Sequence, residues 1–319
     1  MKNKKIRNVI LADILLLIVL FLASSTDLLI KEKETEVHKI AVMVDMPIKG
    51  QVDNFRAGAM KASADYHTDM NFINLSSWES LKDKQAVLKK ELDNGCKGVI
   101  IQAEKEQEVA FLLEAVPTGV PVLLYNVDMD AACIYGNIGS DLQKECELLT
   151  DAILLDEKSA EGVVLVESAA CGERVLMQHE QIQKGLEEKG ILVRRMQVDT
   201  PEEAMTMARG VSALLGRVFV SGNISILQSL GEGCASAKEE LSVYGIGFHS
   251  GIRQLLEKGA ISGSVVHRAY EAGYISVGKM VEILEKDRSD GVEMVVESVL
   301  VTPDTMYLPQ VESVIFPYI

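Results

Sequence analysis

From Lys39 to Val301 short apolar runs alternate with segments of helical periodicity, and that alternation admits few architectures. Lys39–Val44 (KIAVMV) reads as a strand, and Asn54–Tyr66 as a helix with Phe55, Ala59, Ala62 and Tyr66 near one face. The spacing predicts further strands at Met70–Leu75, Gly98–Ile101 and Pro121–Tyr125, with helices over Glu79–Asn94 and Glu104–Val116 between them. Gly95 is placed to cap the second helix. After a short Ile134–Asn137 segment the pattern restarts, with a helix over Leu142–Leu155, a strand at Gly162–Val166 and a helix from Arg174 to Lys189 closed by Gly190. It ends in a helix over Ala269–Glu285 and one last strand, Met294–Val301. The strand runs are apolar on both sides, as in strands buried on two faces of a parallel sheet. About ten such strands in about 280 residues fit two doubly wound α/β lobes better than one sheet. Ligands in such sheets lie beyond the carboxyl ends of the strands.

The first thirty residues are of another kind. Lys2, Lys4, Lys5 and Arg7 precede an apolar stretch from Val9 to Ala23 broken only by Asp13. This is a basic region followed by an apolar one, the pattern of an export segment. Two readings stand: a signal peptide cut near Ala23-Ser24-Ser25, or a signal anchor that stays as a single membrane pass with the C-terminus outside. With four basic and two acidic residues this segment carries +2, so of the chain's −15 the remainder carries −17. A pI near 4.9 excludes nucleic acid as a natural partner, since phosphate binding needs a basic footprint. The five cysteines show no CxxC and no zinc spacing, and are expected as small core residues.

Several segments, in order, resemble one family. KIAVMV followed by FRAGAMKASADY is similar to an opening strand and helix. ELDNGCKGVIIQAEKEQEVAFLLEAVPTGVPVLLYN, IGSDLQKE, FVSGNISILQSL with VYGIGF, and VESVLVTPDTMYLP follow at matching distances. Together they resemble the type I periplasmic-binding-protein superfamily, closest to ribose/galactose-type sugar-binding proteins, over about His38 to Pro309. The resemblance implies two parallel-sheet lobes joined by a three-crossing hinge, with crossings near Ser140, His267 and Val295. The implied organisation is 1–30 as anchor or signal peptide, 38–139 with 268–295 as lobe one, 140–267 with 296–310 as lobe two, and 311–319 as a tail.

The same resemblance marks candidate ligand positions and shows where this chain departs. Gln51 and Val52 stand where sugar-binding relatives carry two stacking aromatics. Asn126 takes the place of a common aspartate after the fourth strand, with Asp128 two residues on. Leu176 and Gln178 occupy the turn where an arginine is usual, with Arg174 nearby. Asn223 is retained, but Ile224 replaces the acid after it. Gly247 replaces an aspartate, with His249 close by, and His267 matches the last-hinge glutamine. The ligand set implied is therefore Gln51, Asn126, Asp128, Arg174, Gln178, Asn223, His249 and His267. Asparagine at strand ends also serves turns and caps, and acids at Asp45 and Asp53 also suit helix capping.

Enzyme signatures are missing from the sequence. It holds no GxSxG elbow and no HExxH, and its five histidines form no i, i+4 pair. Gly273–Met280 nearly matches a phosphate loop but ends in methionine and falls in a predicted helix. The expectation is an extracytoplasmic binding protein for a small polar ligand, a saccharide or derivative, without cofactor, metal or catalysis. It would close on its ligand and act with a membrane partner, an ABC permease or a sensor kinase.

Overall fold

The computed structural model describes residues 11–21, 37–45, 53–102, 105–127, 129–169, 171–210, 216–237, 240–286 and 292–316. Residues 11–21 form helix α1, within a unit of contacts, Met1–Val37, separate from the body His38–Ile319. Among the described residues no helix is long and apolar enough to cross a membrane. Much of the basic and apolar N-terminal segment, including the region where cleavage is expected, lies outside the described residues.

Within the body the order is β1 (Lys39–Val44), α2 (Asp53–Asp65), β2 (Asp69–Asn74), α3 (Leu81–Asp93), β3 (Gly98–Gln102), α4 (Glu106–Leu113), β4 (Val122–Tyr125) and β5 (Ile134–Ser140). Then come α5 (Leu142–Leu154), β6 (Val163–Ser168), α6 (Glu173–Glu187), β7 (Val193–Val198), α7 (Pro201–Arg209), β8 (Val218–Ser221), α8 (Ile224–Cys234) and β9 (Ser242–Ile246). The chain ends with α9 (Ser250–Glu257), β10 (Gly263–His267), α10 (Ala269–Lys286), β11 (Val292–Val296), β12 (Ser298–Val301) and α11 (Pro309–Ile315).

The strands form two sheets, ordered β11-β5-β4-β3-β1-β2 and β12-β10-β9-β8-β6-β7. Every described pairing is parallel except β10 with β12. Alternation within one strand feeds two cores, because successive side chains point to opposite faces. Ile40, Val42 and Val44 pack with Phe55, Ala59 and Met280 of α2 and α10, while Ala41 and Met43 pack with Leu88 and Leu112 of α3 and α4. In the second lobe Val164 and Val166 face Leu227, Leu230 and Val314, and Val163 and Leu165 face Leu149, Ile182 and Leu186. Gly95 and Gly190 close their helices at φ of 88° and 81°, values that a side chain would resist.

Three short stretches join the sheets: between β5 and α5, between β10 and α10, and between β11 and β12. The last departs from the sequence expectation. Met294–Val301 is two strands rather than one, because the chain leaves the first sheet at Val296, passes Glu297 and enters the second sheet at Ser298. Glu297-Ser298 inside an apolar run also suits one half-exposed strand, so the sequence alone does not reveal that break. Arg268 N–H donates to Glu297 O at 3.0 Å, tying the second crossing to the third.

Candidate ligand-binding cleft

The carboxyl ends of both sheets open onto one cleft of about 690 Å³. Its walls come from Asp45 after β1, Gln102, Tyr125 and Asn126 in the first lobe, and from Arg174, Asn223, His249 and His267 in the second lobe and hinge. In each lobe the sheet order reverses beside the first strand, between β1 and β3 and between β6 and β8, which is where doubly wound sheets leave room for a ligand.

Two of the candidate residues hold the backbone in shape. Asn126 sits at φ 55°, and its Oδ1 accepts from Ser140 N–H at 2.8 Å, fastening the end of β4 to the first crossing. The Oδ1 of Asn223 accepts from Ser225 and Ile226 N–H, both at 3.1 Å, and caps α8. These contacts use the acceptor of each amide and leave its NH2 group for other partners.

His249 caps α9 in a different way. Its Nδ1 accepts from Gly251 N–H at 3.0 Å, so the neutral ring carries its proton on Nε2. That nitrogen is buried and has no hydrogen-bond partner among the described residues, in a residue only 7% exposed. Burial holds the imidazole pKa below its usual value.

A buried carboxylate organises the hinge side of the cleft. Glu145 of α5 is 1% exposed, and its Oε2 accepts from Arg174 Nη2 at 2.8 Å and from Gln178 Nε2 at 3.2 Å. Its Oε1 accepts from Ser298 Oγ at 3.4 Å and faces His267 Nδ1 at 3.8 Å. Arg174 Nη2 also donates to Ser140 O and Oγ, at 3.1 and 3.0 Å. His267 Nε2 meets Tyr125 Oη at 2.5 Å, and Tyr125 stacks on Phe55 with ring centroids 4.4 Å apart. The Glu145 charge favours the proton on His267 Nδ1, which leaves Nε2 to accept from the tyrosine hydroxyl. Burial raises the Tyr125 pKa, with Glu145 adding to the rise, so the hydroxyl stays a donor. Burial lowers the pKa of His267, against the pull of Glu145.

A second buried group shapes the floor of the second lobe. His179 is fully buried between Glu167 Oε1, at 3.1 Å from Nδ1, and Gly222 N–H, which donates to Nε2 at 2.9 Å. Both contacts are satisfied by the neutral ring protonated on Nδ1. Hydrogen bonding from His179 keeps the Glu167 pKa below the ordinary carboxylate range, with Arg195 adding to the effect.

Away from the hinge, further hydrogen bonds among the described residues join the lobes. Glu106 N–H of α4 donates to Glu173 Oε2 of α6 at 3.3 Å, and Asn54 Nδ2 of α2 donates to Val314 O and Ile315 O of α11, each at 3.4 Å.

Of the eight candidate residues, Asn126, Arg174, Gln178, Asn223, His249 and His267 line this cleft together, while Gln51 and Asp128 lie outside the described residues. Among the described residues no group of three histidine, cysteine or acidic side chains could hold a metal ion. A model of the periplasmic binding protein domain matches residues 40–288. The chain belongs to that family.

Comparison with curated protein sequences gives no significant match. Solved structures similar to this binding protein include GanP, a glucose-galactose binding protein from Geobacillus stearothermophilus (20% identity, TM-score 0.72, covering 86% of this chain and 99% of that one). An ABC transporter solute-binding protein from Agrobacterium vitis bound with α-D-tagatopyranose gives 16% identity and a TM-score of 0.74, covering 87% and 99%. A LacI-type transcriptional regulator from Bacteroides fragilis gives 12% and 0.70, covering 85% and 99%. At these identities the likeness is one of fold, the two-lobed type I architecture.

Glu145 and His179 escaped the sequence reading. Both leave a trace there. Glu145 sits among Leu142, Cys146, Leu149 and Ile153, so it is an acid on the apolar stripe of an amphipathic helix. His179 lies on the buried stripe of α6 with Ile182 and Leu186. A charged or polar residue on such a stripe needs an internal partner, but sequence alone does not name that partner.

Proposed function

We propose that this binding protein is an extracytoplasmic solute-binding protein that takes a small polar, sugar-like ligand between its lobes and closes on it. The closed form is then read by an ABC permease. The observation that carries the reading is His249 Nε2, a buried donor without an acceptor among the described residues, on the wall where both sheets end. A hydroxyl or ring oxygen would satisfy it. Proteins of the same fold solved with D-arabinose, α-D-tagatopyranose and D-fucose bound support a sugar ligand, and the family's periplasmic character supports a place outside the cytoplasm. The family affinity and the missing enzyme signatures support binding without covalent chemistry.

The test is a thermal-shift screen against neutral sugars, polyols and nucleosides. A ligand at a hundredfold excess over its Kd stabilises the fold by about 2.7 kcal/mol, a shift that is easily read. A folded protein that shows no dose-dependent shift across the panel would remove the sugar reading. One feature favours a second reading, a membrane-anchored sensing receptor partnered by a sensor kinase: the basic residues Lys2 to Arg7 followed by the apolar stretch that contains α1. Intact-mass measurement on the native protein separates the two, since a cleaved terminus favours the diffusing carrier and an uncleaved one the anchored receptor.

A further inference from the structure

We infer that Glu145 decides the charge class of the ligand, so that the cleft accepts uncharged sugars and rejects their acid forms. This rests on the sugar-binding reading above. Arg174 is the side chain in the cleft best suited to a ligand carboxylate, since its planar fork matches one. Here that role is already taken. The nitrogen that faces the cleft hinge, Nη2, has three acceptors within 3.1 Å, and one of them is the Glu145 carboxylate. Gln178, a second donor, is turned onto the same oxygen. A carboxylate arriving at Arg174 would therefore meet a fixed negative charge that cannot turn to solvent, because Glu145 is 1% exposed.

The rest of the lining strengthens the rejection. Asp45, Glu106, Glu173 and Glu293 also line the cleft, against one further arginine among the described lining residues: Arg253, which lies over the Phe316 ring with its buried Nε 3.7 Å from Glu257 and without a hydrogen-bond partner among the described residues. The local field is negative, which disfavours anions. Uncharged hydroxyl groups escape this cost. They can accept from His249 Nε2–H, and they can donate to Asn137 Oδ1, a buried acceptor in the cleft wall without a partner among the described residues. Glu145 is thus a positioning residue: it acts through Arg174 and Gln178 rather than by touching the ligand.

The experiment is titration calorimetry on the full chain with matched pairs, D-galactose against D-galacturonate and D-glucose against D-glucuronate. The wild type is expected to bind the neutral member at least about 100-fold more tightly, the order of discrimination that like-charge juxtaposition supplies. In Glu145→Gln, which keeps the shape and removes the charge, the ratio is expected to narrow to within about tenfold. Glu145→Asp retains the charge and is expected to keep the wild-type ratio. A merely structural role would weaken both members alike, and an unchanged ratio in a folded Glu145→Gln protein overturns the proposal. So does wild-type protein that binds the acid as tightly as the neutral sugar, a result that needs no variant to fold. If the wild type binds no sugar of either kind, the sugar-binding reading itself falls, which is a distinct result.

Discussion

The Glu145 carboxylate lies 2.8 Å from the Arg174 guanidinium, and through this pair one acid touches all three crossings between the lobes. Arg174 carries the contact to Ser140 at the first crossing, His267 faces Glu145 at the second, and Ser298 donates to it at the third. A hinge needs its three strands to move as one. A shared buried charge couples them more firmly than separate apolar contacts would, since each strand loses a polar partner if it moves alone.

The two halves of the pair are unequal, and their removal should be too. Arg174→Ala leaves a carboxylate that is 1% exposed without its cation, at a cost of about 3–5 kcal/mol. Glu145→Ala leaves a guanidinium that is 29% exposed and can turn toward water, at a cost nearer about 1–2 kcal/mol. Urea unfolding of both variants checks the order. Equal losses would show that the pair is solvated in solution.

His179 supports the β8–α8 turn that carries Asn223. Replacing it with leucine strips part-buried Gly222 N–H of its acceptor and leaves Glu167 with Arg195 alone, and should cost about 1–3 kcal/mol. The pH dependence changes as well. The Glu167 pKa is lowered in the fold, so its contribution is present above about pH 4.5 and is lost as pH falls through the folded value. His179→Leu should flatten that acid limb of the stability curve, leaving the smaller part due to Arg195.

The lobes were legible in the sequence because strands buried on both faces read as unbroken apolar runs, as at Lys39–Val44 and Gly162–Val166. Gly95 and Gly190 were legible because only a residue free of Cβ readily takes their φ. The break at Glu297 was not, since β11 and β12 share one pattern across two sheets. Asn126 and Asn223 could be placed at strand ends but not assigned, because the residue type suits turns, caps and ligands alike. Arg174 and Gln178 were found by position, while their partner Glu145 lies about 30 residues away and meets them only when α5 packs on α6.

Helices α2 and α10 touch through two glycines. A Cβ on Gly58 would stand 1.9 Å from Tyr270 O, and one on Gly273 would stand 2.0 Å from Phe55 O. Backbone lies on both sides, so neither substitution can be relieved by turning a side chain. Gly58→Ala and Gly273→Ala should each cost about 3 kcal/mol, at the upper end for overpacking, and a thermal melt checks this. An exposed control, Gly119→Asn at φ 92°, has nothing within 4 Å and should melt close to wild type, since asparagine tolerates that backbone best.

Two buried histidines add to the loss of stability in acid, the opposite of a histidine whose pKa an ion pair raises. Burial keeps His249 and His267 below the usual value of 6.5. The unfolded chain therefore takes up protons near pH 6.5 that the folded chain resists, so stability is whole above that pH and declines as pH falls through it. Each group contributes at most about 1.4 kcal/mol per pH unit. His249→Asn keeps an oxygen to cap α9 and removes one titration. Between about pH 7.5 and about pH 5.5 its melting temperature should fall less than that of the wild type. An identical slope would mean that His249 is protonated alike in both states.

Away from the hinge, α4 and α2 each make hydrogen bonds to the other lobe across the cleft. Helix α4 has no side-chain cap from its own Lys105, and the Glu173 carboxylate of the opposite lobe receives Glu106 N–H instead. A negative charge at that end is favoured by the helix dipole as well. Asn54 reaches two carbonyls at the end of α11. These bonds are long, at 3.3 and 3.4 Å, so each is worth no more than about 1 kcal/mol, or about a fivefold change in the ratio of closed to open forms. Glu173→Ala combined with Asn54→Ala should therefore shift that ratio by about 25-fold if the two add. The expected result is a larger radius of gyration for the ligand-free double variant by small-angle X-ray scattering, with the wild-type value restored at saturating ligand. A double variant as compact as the wild type without ligand would show that the hinge cluster alone, centred on Glu145, holds the lobes together.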